Sequence, residues 1–207
     1  MSHDHPHRHP PQADHAEPVS HHEWLGVALN ELLMEKGLYT AQELREMMAE
    51  VEAVEPSTHG ARVVAHAWVD EDFRVRLLKD ANTAVEALGF DSAATDLTVL
   101  ENTDEIHNVV VCTLCSCYPR TLLGRPPTWY KSASYRSRLV REPRSVLREF
   151  GTQLPDSVTV RVHDSTAELR YLVLPLRPQG TDDWTEERLA ELVTRDSMIG
   201  VTTARTP

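Results

Sequence analysis

The chain has three cysteines, and all of them fall between residues 112 and 117. Cys112, Cys115 and Cys117 are too close together to staple distant segments, and an odd number cannot pair completely. The fold must therefore be held by an apolar core, and the cysteines point to metal or redox chemistry in a reducing compartment. The preceding run Ile106–Val111 is β-branched and apolar, as in a buried strand that delivers the chain into the cluster. Thiolates at i, i+3 and i+5 converge on one ion only if the backbone curls tightly around it. Soft sulfur ligands select zinc, copper, iron or cobalt over magnesium and calcium. A structural zinc site needs four protein ligands, and the nearest histidine, His107, lies five residues upstream on the strand. Three buried, metal-free cysteines are the other plain reading. The backbone amides of Ser116 and Cys117 offer further donors. Three thiolates with two amidates make five ligands around a low-spin trivalent ion and leave a sixth position open. Such a centre carries two net negative charges and needs cations nearby. Residues 118–150 hold Arg120, Arg125, Lys131, Arg136, Arg138, Arg141, Arg144 and Arg148 against Glu142 and Glu149 alone. That stretch reads as charge compensation, as a docking surface for an acidic partner, or as both.

The remainder of the sequence bounds the fold. A length of 207 residues with 41% hydrophobic and 26% charged residues is enough for one soluble domain with an appendage. A net charge of −11 excludes nucleic-acid binding by bulk electrostatics. No apolar run approaches the roughly 20 residues that span a bilayer, and the start of the chain lacks the apolar stretch of a secretory signal, so a cytoplasmic location is expected. Residues 1–17 alternate His3, His5, His7, His9 and His15 with Pro, Asp and Arg, and read as a disordered His-rich tail. Residues 18–95 read as helical. Ser20 to Glu23 and Thr40 to Glu43 have the form of capping boxes. Trp24, Leu25, Leu29 and Leu32 form a helix-spaced stripe, followed by Leu44, Met47, Met48 and Val51, then, after Pro56, Val63, Val64 and Trp68, and finally Phe73, Leu77, Val85 and Leu88 before Gly89. The texture changes near residue 96. Strands are expected at 97–100, 106–111, 158–162 and 169–173, with helices at about 134–150 and 185–194. The fold class is α+β: a helical N-terminal segment followed by a mixed, layered α/β domain over 96–207 that carries the cysteine claw.

The segment Val111-Cys112-Thr113-Leu114-Cys115-Ser116-Cys117 resembles the metal-binding signature of the nitrile hydratase α-subunit family. The segments at 101–111, 126–131, 135–138, 142–144, 167–171, 174–178 and 193–200 are similar to that family as well, so the resemblance covers nearly the whole chain after the tail. It implies a non-corrin cobalt(III) site, with iron(III) as the alternative. The implied ligands are the sulfurs of Cys112, Cys115 and Cys117 and the amides of Ser116 and Cys117. Cys115 is implied to be a sulfinic acid and Cys117 a sulfenic acid, both tied to catalysis. Thr113 is the residue that cobalt types carry, and Tyr118 borders the ligand set. The implied reaction is hydration of a small nitrile to its amide. The implied partners are a β-type subunit, whose arginines hold the oxidised sulfurs, and a metallochaperone or activator.

Two departures qualify the resemblance. Most nitrile hydratases have Trp-Pro after Cys-Ser-Cys-x-Pro, and here Arg120 and Thr121 stand there. A cation where an apolar wall is usual implies a polar or anionic substrate at a pocket that includes Arg120. The thiocyanate hydrolase γ subunit is similar at this position and in its His-rich leader, which makes it the alternative reading. A glutamine common before the Glu101-Asn102-Thr103 segment aligns with Ala93. A cobalt-binding assembly protein without catalysis is a further alternative, and a zinc-binding interaction module a remote one.

Overall fold

The computed structural model describes residues 20–44, 57–92, 95–114 and 117–207. The His-rich tail, Met47, Met48, Val51, Pro56, Ala93, Cys115 and Ser116 lie outside the described residues. The chain divides into two compact units, Met1–Ala53 and Val54–Pro207.

In the first unit, helix α1 spans His21–Glu35 and stops at Gly37, whose φ of 69° suits a residue without a Cβ. The capping box at Thr40 is reciprocal. The Glu43 N–H donates to Thr40 Oγ1 at 3.1 Å, and the Thr40 N–H donates to Glu43 Oε2 at 2.7 Å. The stripe of α1 does not enter a core, because Trp24, Leu25, Leu29 and Leu32 are all exposed. Helical spacing fixed the element but could not say what covers its apolar side.

The second unit mixes helices and strands. Helix α2 (Ser57–Val69), α3 (Glu71–Lys79) and α4 (Ala81–Ala87) come first. Asp70 and Asp80 cap the last two through the N–H groups of Phe73 and Thr83. Strands β1 (Asp96–Glu101) and β2 (Ile106–Val111) follow. Then come α5 (Arg120–Leu123), α6 (Thr128–Lys131), α7 (Ala133–Leu139) and α8 (Pro143–Glu149). Next are strands β3 (Thr159–Asp164) and β4 (Leu169–Leu174), and α9 (Glu186–Ala190) and α10 (Arg195–Ile199) end the described elements. The helix expected over 134–150 is two helices, because Pro143 begins a new one after Glu142 leaves helical geometry at φ −139°.

The strands pair as two parallel ribbons, β1 with β4 and β2 with β3. Strand β2 is buried on both faces from His107 to Val111, as parallel strands covered by helices are. Val109, Val110 and Val111 join Val63, Val64, Leu77, Leu172, Leu174, Met198 and Ile199 in one core. Each such side chain contributes about 1.5–3 kcal/mol by leaving water. A polar seam runs beside the core. Asn102 Oδ1 accepts from the Asn108 N–H at 2.7 Å, and Asn108 Nδ2 donates to the Glu101 carbonyl at 2.7 Å. The buried seam therefore fixes the turn from β1 into β2.

Candidate metal centre

Strand β2 ends with Val111 in register with Asp164, the last residue of β3. The next residue, Cys112, is fully buried. Asp164 then clamps the residue after it. Its Oδ1 accepts the Thr113 N–H at 2.8 Å, and its Oδ2 accepts the Thr113 hydroxyl at 2.5 Å. Arg136 from α7 donates to the Thr113 carbonyl at 3.2 Å. Both sides of the Thr113 residue are thus tied to charged groups, which make stronger hydrogen bonds than neutral ones. At the other end of the loop, the Tyr130 hydroxyl donates to the Cys117 carbonyl at 2.9 Å. Cys117 is half-buried. Tyr118 is buried, packs edge-on against Tyr130 with ring centroids 5.3 Å apart, and points its hydroxyl back to the Leu123 carbonyl at 3.3 Å.

Tyr130 is the pivot of this arrangement. Its hydroxyl is pushed above the ordinary tyrosine range chiefly by burial, with the nearby Cys112, Cys117 and Asp164 groups adding to the rise and the Ser165 side chain opposing it. Trp129 and Tyr135 pack against the Tyr130 ring, Phe150 backs both of them, and the Tyr135 hydroxyl donates to the Val110 carbonyl at 2.7 Å. The aromatic cluster holds the end of β2 and the end of the loop at once.

Cys112 and Cys117 stand at the two ends of a loop fixed on Asp164 and Tyr130. This is the chemistry that a chelated soft or borderline ion requires. Among the described residues, which leave out Cys115 and Ser116, His, Cys, Asp and Glu form no group of three or more that could hold a metal ion. His107 is not oriented as a ligand. Its Nε2 lies 2.7 Å from the Gly200 carbonyl and its Nδ1 lies 3.3 Å from Asn102 Nδ2. Burial lowers its pKa below the usual histidine value, with the Gly200 contact opposing.

Much of the basic stretch is used within the chain. Arg138 pairs with Glu142 and Glu149. Arg144 donates to the carbonyls of Leu154, Pro155 and Val158. Arg141 donates to the Ser137 carbonyl at 3.0 Å. These three arginines staple α7 and α8 and their following loop, which neither charge compensation nor docking anticipates. Arg120 is different. It opens α5, is exposed, and lines a cavity of about 330 Å³ with Cys117 and Tyr118.

A family profile described as nitrile hydratase, alpha chain, matches residues 20–202. The chain belongs to the nitrile hydratase α-chain family. It is 51% identical over 181 residues to the cobalt-containing nitrile hydratase subunit alpha of Pseudonocardia thermophila, covering 86% of this chain and 88% of that relative. It is 47% identical over 197 residues to the thiocyanate hydrolase subunit gamma of Thiobacillus thioparus, covering 89% and 81% respectively. A solved variant of the Fe-type nitrile hydratase from Comamonas testosteroni Ni1 superposes with a TM-score of 0.82 at 46% identity, covering 90% of this chain and 91% of that one.

Within this α-chain fold, the roles of Asp164 and Tyr130 escaped sequence reasoning, and Arg136 entered it only as one cation of the basic stretch. Asp164 stands 51 residues from Thr113 in sequence and meets it only through the parallel pairing of β2 with β3. The one available signal was an acid at the C-terminal end of a strand pattern. Asp164→Ala is expected to loosen the first turn of the loop. Losing two hydrogen bonds to a carboxylate costs about 1.5–3 kcal/mol each at most, less at this exposed site. Cobalt should then dissociate about 10- to 100-fold faster into a chelator, as for other groups that orient ligands. Unchanged dissociation would show that the clamp does not hold the loop.

Proposed function

We propose that this chain is the metal-carrying, catalytic α-type subunit of a nitrile hydratase, a hydro-lyase that adds water across a carbon–nitrogen triple bond to give the amide. The observation that carries this reading is the cysteine loop, anchored by Asp164 and Tyr130, with Cys117 opening onto the cavity. Family membership and the cobalt-containing relative support it. The chemistry is assigned to residues 96–207, in a cytoplasmic protein whose thiols are kept reduced until the centre is built.

The sulfurs of Cys112, Cys115 and Cys117 and the amide nitrogens of Ser116 and Cys117 would hold cobalt(III). When bound, the ion supplies Lewis acidity and an exchangeable position. In this reading Cys115 is a sulfinic and Cys117 a sulfenic acid. The Cys117 sulfenate oxygen takes a proton from the attacking water. The water oxygen bonds to the nitrile carbon, a proton reaches the nitrile nitrogen, and the imidic acid rearranges to the amide. Tyr130, kept protonated, holds the Cys117 carbonyl and so the direction of that oxygen. Thr113 fixes the loop, and Tyr118 keeps one wall of the cavity apolar. A β-type subunit completes the enzyme, and a metallochaperone or activator loads it. Together the subunits should bury more than roughly 2,000 Å², as obligate partners do.

Elemental analysis of the assembled enzyme should find about one cobalt per chain, since a single claw binds one ion. Peptide mass spectrometry across 112–117 should find two added oxygens on Cys115, one on Cys117 and none on Cys112. Full activity with zinc alone, or with three unmodified thiols, would remove the basis of the mechanism. A metal-loaded chain that turns over nothing would favour a cobalt-binding assembly protein.

Arg120 supports a second reading, a thiocyanate hydrolase γ-type subunit, because a cation lining the cavity with Cys117 suits an anionic substrate and a relative of that description is 47% identical to this chain. Arg120→Trp is expected to raise specificity for small apolar nitriles and lower it for polar ones, by about 1–3 kcal/mol in transition-state binding. If all substrates fall together, Arg120 serves structure and not substrate choice.

A further inference from the structure

We infer that the cavity beside Cys117 is an anion-reading subsite and that Arg170 is its second cation, so that the preferred nitrile carries a negative or acceptor-rich group at its far end. The inference rests on the proposed hydration and adds to it a residue and a substrate class.

Arg170 projects from β4, in register with Leu97 of β1, and both line the same cavity as Cys117 and Arg120. Its Nη1 is shut off from solvent and has no hydrogen-bond partner among the described residues. Among the described residues, neither guanidinium makes an ion pair or a side-chain hydrogen bond there. A guanidinium cannot shed its charge to escape this situation, and a buried donor without an acceptor is costly. No carboxylate lines the cavity among the described residues. Glu86, which touches the lining, is engaged by the Ser92 hydroxyl at 2.6 Å. Two guanidinium groups without ion pairs among the described residues thus line one half-open cavity in a chain of net charge −11, and a cleft lined by one sign of charge concentrates the opposite one.

The size narrows the class. About 330 Å³ sits at the small end of ligand pockets and far exceeds a three-atom anion. It suits a nitrile on a small ring that bears a carboxylate or carbonyl. With the nitrile at Cys117, the far end meets the guanidinium fork, which matches a carboxylate in two parallel hydrogen bonds.

The test uses the assembled, cobalt-loaded enzyme and three probes: 3-cyanobenzoate, benzonitrile and benzoate. The wild type should prefer 3-cyanobenzoate to benzonitrile. Arg170→Gln should lower kcat/KM on 3-cyanobenzoate by about 10- to 100-fold and change benzonitrile by less than about twofold. Calorimetric binding of benzoate, which has the charge but no nitrile, should weaken in parallel, and Arg170→Lys should fall between. The cobalt absorption spectrum should not move. Equal losses on both nitriles, a shifted spectrum or a dissociated partner subunit would overturn the inference and make Arg170 a support for the centre or the interface. If Arg120→Gln discriminates between the nitriles and Arg170→Gln does not, Arg170 fails while Arg120 stands. If neither nitrile is hydrated and thiocyanate is consumed, the hydration reading fails, and benzoate binding to the wild type and Arg170→Gln alone decides this one.

Discussion

Cys117→Ala is expected to lose at least about a thousandfold in turnover, roughly 4 kcal/mol of transition-state stabilisation, and to lose cobalt with it. The residue has three roles in the proposed chemistry: it supplies a sulfur ligand, an amide ligand and the oxygen that handles the proton. Alanine keeps the amide and removes the other two. Cys115→Ala should behave similarly through the loss of its sulfur. The loop itself should survive in Cys117→Ala, because Tyr130 holds a backbone carbonyl and Asp164 holds Thr113, and neither contact uses the Cys117 side chain. Unfolding should therefore shift little while bound cobalt, measured by elemental analysis, falls far below one per chain. A variant that keeps its cobalt and its turnover would mean that the ligand assignment is wrong.

The contrast between loop and supports explains what the sequence made legible. The cluster at 112–117 could be found because its candidate ligands are neighbours along the chain. Strand β2 could be found because a run of β-branched residues has few other uses. The reciprocal cap at Thr40 and Glu43 is a four-residue pattern, wholly local. What stayed hidden depends on pairing between distant strands. Asp164 reaches Thr113, and Arg170 reaches the cavity of Arg120, only because β3 and β4 run parallel to β2 and β1. Nothing in the composition of 159–174 gives that register. The basic stretch was legible only in part for a related reason. A count of arginines shows a charge excess, but Arg138 and Arg144 spend their donors on Glu142, Glu149 and backbone carbonyls near at hand. The stripe of α1 shows the limit from the other side: periodicity identified a helix and said nothing of what its apolar residues meet.

Gly200→Ala is expected to be the most damaging change away from the cysteines. Gly200 closes α10 at φ 88°, in the left-handed region. A Cβ there would lie 2.1 Å from the Asn108 carbonyl oxygen and 2.9 Å from Val109 Cα. Both are backbone atoms of β2, the strand that leads into Cys112, so no side-chain rotation relieves the contact. The left-handed conformation costs an alanine about 1–2 kcal/mol, and forcing atoms into a packed core adds about 1–3 kcal/mol. A sum near 4 kcal/mol is a large part of an ordinary domain's stability of about 5–15 kcal/mol. The thermal midpoint should drop by about 10 °C or more for a unit of this size. The carbonyl of Gly200 also meets His107 Nε2 at 2.7 Å, so a displaced α10 would strip a buried ring of its partner. Any relief must come from β2 moving away, and Cys112 moves with it. The variant should therefore bind cobalt more weakly even at temperatures where it is folded. A Gly200→Ala protein with an unchanged melting midpoint would show that α10 yields without cost. One that melts early but holds cobalt normally would show that the strand delivers Cys112 independently of this contact.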